Sequence, residues 1–535
     1  MVGWRTANGA EQSRQRREAT VRLYSSTPSP ACTRIPASLA QQWPCGTMTA
    51  MTIPAVGPAS ERPAARGRRG RVTSSSMRGA ATGQPAPRPS AARAPTGPAA
   101  SVPLTQRAGG PDLARGLALL GIAMANTVGW LHGTQWTVLL KQADATVADR
   151  IVDVIAALTV DNRGFPLFAL LFGYGIGVLH RRSLARGERS RTFLGRMLRR
   201  HLVLLALGLA HGILLFSGDI LASYAIIGML CAVLVSRRSR WLLPLTVLLT
   251  VPLLAPWGWA DATYGLIPAD GYPDASAATY LEGLEIRAGD MLYGVGTALV
   301  MDLGLLGPMA IGAIAARIHL LEQVTPNRDL LRPITAGGIA VGLAGAVPLT
   351  AVLVADPHHA WFASEVGLGI LGVLHQLTGV AGALGAATGA ALVADAVRGP
   401  ADAVRGHAGE SSPEPPRRKP VAAAVQAVEA LGATALTAYV LQSVIFLALY
   451  PPYTLDLGAR IGSAWSAVIV LAGWLVMIVL TSWLRRAGRR GPLEFVLRRL
   501  AGSTSPRGPG PGSADAASVG PSIAGSAHST PGSRT

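Results

Sequence analysis

Long apolar runs alternate with short polar connections over most of this chain. Ten runs are long enough to cross a hydrocarbon core of about 30 Å as helices. They cover approximately 113–132, 164–180, 198–216, 219–236, 240–257, 294–316, 333–355, 362–394, 425–450 and 464–484. The pattern predicts an all-α polytopic membrane protein of about ten transmembrane helices. The stretch 147–160 is apolar but amphipathic, with Asp149, Arg150 and Asp153, and reads as an interfacial or short re-entrant helix.

The flanks lack sustained apolar runs. Residues 1–110 are rich in Pro, Ser, Ala and Gly and read as a disordered tail, with Met48, Met51 and Met77 as alternative starts to Met1. The expected organisation is then an eight-helix membrane bundle over 111–396, a cytoplasmic linker over 397–420, a two-helix C-terminal domain over 421–501 and a disordered tail over 502–535. The two halves show no inverted repeat, which counts against a secondary transporter.

Composition agrees with lipid as the solvent. The 535 residues are 50% hydrophobic and 14% charged, against about 25% charged in soluble domains. The net charge of +19 raises the question of nucleic acid, but its distribution answers it. Up to Gly110 there are 15 Arg and 3 Glu, and the remaining basic residues sit mostly in loops such as "HRRSLARGERSRTFLGRMLRRH" and "SRRSRW". Basic loops alternate with acidic or weakly charged ones, the clearest being "DATYGLIPADGYPDASAATYLEGLEIRAGD". All basic loops fall on one side if both termini are cytoplasmic. No nucleic-acid motif is present. Cys32, Cys45 and Cys231 form no CxxC pair, and no metal-ligand spacing, nucleotide loop or GxSxG elbow occurs. No bound cofactor is expected.

Against this background the stretch "LALGLAHGILLFSGDILASYAIIGML" stands out, because it carries His211, Asp219 and Tyr224 inside apolar sequence. Read as a helical hairpin turning at "SGD", it puts His211 about five residues before the turn, with Ser223 or Tyr224 as its expected neighbour. Asp219 suits a helix start, where orphan amides and the dipole favour a carboxylate. Buried together, His211 and Asp219 are also suited to general-base work. On the first helix, Asp112, Arg115, Leu119, Asn126 and Trp130 share an arc of about 60°. Arg115 either snorkels to lipid phosphates while paired with Asp112, or holds an anionic group of a substrate. Asp302, counted from a helix start near Gly294, lies about 12 Å deep. There a carboxylate costs about 2.5–3.5 kcal/mol, so it reads as a helix contact or a cavity residue. Glu365 and His375 lie on or beside a small-residue stripe that is mostly packing. Arg163 sits at the outer end of the second helix, against the positive-inside preference, and reads as an anion anchor or a partner for the acidic loop.

"DLARGLALLGIAMAN", "RGFPLFALLFGYGIG", "GLAHGILLFSGDILASYAIIG", "LGATALTAYVLQS" and "RRGPLEFVLRRL" follow one another in order between Pro111 and Leu500. In this succession the chain resembles the YeiB-like family of bacterial inner-membrane proteins, known as domain-of-unknown-function family 418. The family's pattern has Arg and Asn where this chain has Ala433 and Ala438, whereas Tyr439 and Gln442 are kept. More distantly the family is similar to ten-helix membrane acyltransferases, which makes acyl transfer an analogy to be tested.

The resulting expectation is an inner-membrane protein that transfers an acyl group from a cytoplasmic donor, acyl-coenzyme A as co-substrate, to an envelope lipid or sugar. His211 would be the base and Asp219 its orienter. Arg115, Asn126, Arg163, Tyr224, Asp302, Glu365, His375 and Gln442 would line a shared cavity and contact substrate. The alternatives are a transporter or exporter of a small or lipid-like solute that uses Asp302, Glu365 and His375, and a non-catalytic membrane component. Membrane lipids and a small-molecule, lipid or sugar substrate are the expected partners; nucleic acid is not. The sequence leaves the oligomeric state open.

Overall fold

The computed structural model describes residues 109–269, 271–405 and 420–502. The expected N-terminal tail up to residue 108, the middle of the linker and the C-terminal tail lie outside the described residues. Within them the chain is helical, with one isolated β-bridge between Trp136 and Gln142 and no strand. The helices are α1 (Gly109–Asn126), α2 (Val147–Thr159), α3 (Gly164–Ala185), α4 (Ser190–Leu214), α5 (Leu221–Val235), α6 (Leu242–Thr250), α7 (Ala255–Thr263) and α8 (Tyr280–Met301). They are followed by α9 (Leu306–Arg317), α10 (Arg328–Ala355), α11 (Glu365–Arg405), α12 (Pro420–Ala433), α13 (Ala435–Leu449), α14 (Ser463–Arg486) and α15 (Pro492–Leu500).

Every apolar run of the sequence is helical. By length and composition six spans cross a membrane, or up to eight if each of two bent pairs counts as one. The two runs left over are α1 and α5. The 15 residues of α5 reach only about 22 Å, short of a full crossing. The amphipathic stretch before α3 forms its own helix, α2, capped by a reciprocal pair of bonds between Thr146 and Asp149. Together α2 and α3 make one 39-residue apolar stretch.

The helices meet where small residues let backbones touch. A Cβ added at Gly312 on α9 would fall 1.8 Å from the Leu170 carbonyl oxygen of α3. One added at Gly173 would fall 2.0 Å from the Met309 carbonyl oxygen. Without a hydrophobic force between lipid-solvated helices, such close contact is what holds them together. Leu170, Leu171, Tyr174, Ala316 and Ala387 form the centre of one core cluster at this seam.

Ion pairs join the helix ends next to the basic loops. Arg181 pairs with Glu322 at 2.6 Å, Arg328 with Asp395 at 2.7 Å and Arg398 with Glu429 at 2.8 Å. At the opposite end Lys141 pairs with Asp161 at 3.0 Å, and Ser217 donates to Asp274 at 3.0 Å. The two sets of contacts mark a basic end and an opposite end.

Two helices are broken. The run taken to begin near Gly294 begins at Tyr280 instead and ends at Met301, bending by 56° into α9. Asp302 therefore sits in a break, not eight residues into a continuous helix. Between α12 and α13 the bend is 84°. Glu494 of α15 accepts from the backbone N–H groups of Leu436 (2.8 Å) and Thr437 (3.1 Å). It thereby satisfies amides that the break at the start of α13 exposes.

Candidate functional site

The hairpin reading places His211 near the end of α4 and Asp219 just before α5, and the two side chains meet. Nδ1 of His211 lies 2.8 Å from Oδ1 of Asp219, and both side chains are fully buried. The other carboxylate oxygen accepts from the N–H of Ala222 at 2.8 Å, the helix-start bond expected of Asp219. The approach of α4 to α5 is close enough that a Cβ at Gly208 would come 2.5 Å from the Ala222 nitrogen.

The expected neighbours of His211 are replaced by a residue 232 positions away. Nε2 of His211 is 2.9 Å from Oγ of Ser443 on α13, itself buried. A carboxylate only accepts hydrogen bonds. Asp219 thus fixes the proton on Nδ1, which leaves the Nε2 lone pair to accept the Ser443 hydroxyl. The Tyr439 ring, one turn before Ser443, lies 5.0 Å from the imidazole centroid, and its hydroxyl accepts from Ile220 N–H at 3.3 Å. Ser443, His211 and Asp219 have the connectivity of a nucleophile, base and orienting acid.

Tyr439 also lines the inner end of a cavity of about 320 Å³, which opens among α1, α3, α4, α5, α13 and α15. Tyr224, Leu204 and Leu221 line it beside Tyr439. Towards the basic end it carries Arg115, Arg182, Arg200 and Arg498. Three carboxylates are present too, each bonded: Asp112 to Arg115 at 2.7 Å, Glu322 to Arg181, and Glu494 to α13. Four guanidinium groups thus stand against three carboxylates at this end of the cavity. Ala433, which stands where the resemblance implies Arg, lines this cavity as well.

Tyr224 apart, the remaining candidates do not line that cavity. Asp302 accepts from Ser223 Oγ at 2.5 Å. Tyr224 donates to the Phe165 carbonyl at 2.7 Å. Glu365 is exposed in the first turn of α11. Asn126 ends α1 half-buried, and the Gln442 amide donates to Leu119 O at 3.0 Å. The single chamber expected to join His211, Asp219, Asp302 and Glu365 is thus absent from the described residues. Asp302 stands at the break between α8 and α9 and bonds Ser223, while Glu365 is exposed at the start of α11.

Arg163 is buried and donates to carbonyls, to that of Asp161 at 2.6 Å and to those of Ala157 and Gly342. It stitches a turn to α10 rather than facing outward. His375 takes Ala157 O at 2.9 Å through Nε2 and faces Asn162 Nδ2 at 3.2 Å through Nδ1. Around them lies a second polar cluster that the sequence reading passed over, with Lys141, Asp153, Asp161 and Gln376 all buried. Burial works against the Lys141 ammonium, but Asp161, then Asp153, outweigh it and raise its pKa. Neither amide atom of Gln376 has a partner.

A helical, lipid-suited bundle with a buried Ser–His–Asp chain beside a cationic cavity defines a polytopic all-α membrane protein with one candidate catalytic centre. Residues 416–504 match the family model described as "Protein of unknown function (DUF418)". The chain is 28% identical over 417 residues to the uncharacterized protein YeiB of Escherichia coli (strain K12), covering 73% of this chain and 94% of that protein. It is 28% identical over 165 residues to the uncharacterized protein YxaH of Bacillus subtilis (strain 168), covering 28% and 39% of the two chains. It is 36% identical over 129 residues to an uncharacterized 39.9 kDa protein in the amylase 3' region of Bacillus acidopullulyticus, covering 24% and 34%. The matches thus span well under two thirds of either Bacillus relative. Residues 416–504 thus match a DUF418 domain, and the chain is similar to YeiB over most of its length, in keeping with the resemblance drawn from its motifs. The sequence departure at Ala433 and Ala438 and the match through Tyr439 and Gln442 both fall inside residues 416–504.

Proposed function

We propose that this protein is an inner-membrane acyltransferase, which takes an acyl group from a phosphate-bearing donor entering at the basic end and passes it to a hydroxyl of an envelope lipid or sugar. In this reading the basic end is cytoplasmic, in keeping with the positive-inside preference. The observation that carries it is His211 held between Asp219 and Ser443, with Tyr439 touching both the imidazole and the arginine-lined cavity. Arg115, Arg200 and Arg498 would bind the donor's phosphates. The apolar inner end would take the acyl chain, and His211 would accept the proton from the attacking hydroxyl while Asp219 stabilises the imidazolium. The distant similarity to ten-helix acyltransferases supports the same reading. The test is to incubate the purified full chain with radiolabelled acetyl-coenzyme A and envelope lipid extract. The expected result is label in the lipid fraction, lost in His211→Gln and needing several-fold more donor in Arg200→Gln. Label that persists undiminished in His211→Gln would refute it.

The second reading, transport of a small or lipid-like solute, draws on the opposite end, where buried Lys141, Asp153 and Asp161 lie near His375 and the buried Gln376 amide is unsatisfied. It predicts proton-coupled solute movement abolished by Asp161→Asn and unaffected by Ser443→Ala. Ion flux equal in both variants would remove it.

A further inference from the structure

We infer that Ser443 is the nucleophile of this centre, so that the reaction runs through an acyl ester on its hydroxyl. The inference rests on the acyl-transfer reading and specifies its chemistry.

The first argument is the contrast with the threonines of this bundle; among the serines, Ser223 also reaches across to another element, to Asp302. Thr246, Thr250, Thr350, Thr378, Thr388, Thr434 and Thr481 each donate to the carbonyl four residues earlier, at 2.7–3.1 Å. That is the ordinary way a helix in lipid satisfies a buried hydroxyl. Ser443 makes no such bond among those described and points across to Nε2 of His211 instead. The second argument is cost. A serine–imidazole bond alone would join α4 to α13. Adding a carboxylate with no arginine or lysine among its described bonds carries a desolvation penalty of several kcal/mol. An amide or hydroxyl could cap α5 at that position for less. The carboxylate contributes something they lack, a fixed tautomer and a counter-charge for imidazolium. The third argument is position. Ser443 follows Tyr439 by one helical turn, on the same face of α13, directly beyond the cavity's inner end. Tyr439 is packed in the core between them, so its ring would have to move to admit an acyl group.

The step is balanced without any oxidant or reductant. Oγ of Ser443 attacks the carbonyl carbon of an acyl thioester, and its proton passes to Nε2 of His211. The C–S bond then breaks, and the departing thiolate takes that proton, leaving free thiol and acyl-Ser443. An acceptor hydroxyl next gives its proton to Nε2 and attacks the ester carbonyl. The C–Oγ bond breaks, and Ser443 recovers the proton.

An alkyl fluorophosphonate reports such a serine without knowledge of the donor, since fluoride leaves as a P–Oγ bond forms. The full chain in detergent is treated with this probe and, in parallel, with radiolabelled acetyl-coenzyme A, then digested for mass spectrometry. The expected result is a phosphonyl and an acetyl adduct on Ser443, both absent in Ser443→Ala. Labelling should be at least about 100-fold slower in His211→Gln, while Ser443→Cys regains the acetyl adduct as a thioester. If Ser443→Ala still cleaves acetyl-coenzyme A at the wild-type rate in a His211-dependent manner, the nucleophile is overturned and acyl transfer stands. If the wild-type chain neither takes the probe nor cleaves the thioester, both readings fall. A monodisperse Ser443→Ala with wild-type thermal stability shows that the loss is chemical and not a folding defect.

Discussion

Asp219 does two things with its two oxygens, and they separate experimentally. Oδ1 holds the His211 proton and Oδ2 caps α5. Asp219→Asn keeps the size and a cap acceptor but can donate its amide to Nδ1, which reverses the tautomer and removes the base. We expect acyl transfer to fall by about 10³–10⁴-fold, with the thermal unfolding of the detergent-solubilised protein little changed. A rate loss that follows a parallel collapse in melting temperature would instead mark Asp219 as structural. Ser443 shows why individual residues of this centre are hard to recognise in advance. It has no local signature in "AYVLQSVIF", and only the packing of α13 on α4 gives it a partner.

At the scale of elements, short polar helices and loops set the geometry of the apolar ones. Glu494 lies in the "RRGPLEFVLRRL" segment, and its carboxylate caps α13 at the 84° break. Its other oxygen takes the Thr437 hydroxyl at 2.5 Å. Glu494→Ala should lower stability by about 1–2 kcal/mol and, because α13 carries Tyr439 and Ser443, lower the rate of transfer as well. Unfolding curves and initial rates of the same preparation check both. The loop between α3 and α4 offers a pH test. Bonds from Arg196 in the first place, outweighing burial, and then from Arg186 and Ser183 hold the Glu188 carboxyl down at about 2. A depressed carboxylate contributes stability above its unfolded pKa, about 4.5, and loses it as pH falls towards 2. The melting temperature of wild type should therefore exceed that of Glu188→Gln at pH 7, and the gap should narrow from about pH 4.5 downward. A gap that widens on acidification would contradict this.

For the whole molecule, the grouping of loops at two ends makes sidedness testable. In a chain with Cys32 and Cys45 replaced by Ser, a membrane-impermeant maleimide added to intact cells should label Ser276→Cys, in the loop at the opposite end. It should reach Ser239→Cys, at the basic end, only after permeabilisation. Both residues are exposed. Labelling of Ser239→Cys in intact cells would invert the orientation and with it the side from which the donor enters.

The sequence by itself determined the solvent and the class of fold. Runs of Leu, Ala, Val, Ile and Gly must form helices in lipid, because every backbone amide there has to find a partner within its own segment. It also determined the pairing of His211 with Asp219, since eight residues of hairpin leave little freedom between them. What it could not determine was anything that depends on which helix packs against which. The Ser443 hydroxyl, the cluster around Lys141 and Gln376, and the cap supplied by Glu494 all join positions far apart in the chain. The same holds for Arg163, Asp302 and Glu365, whose surroundings follow from helix breaks and starts that apolar periodicity does not encode. Those breaks arise where polar side chains replace the missing backbone bonds, and only the tertiary structure supplies the replacements.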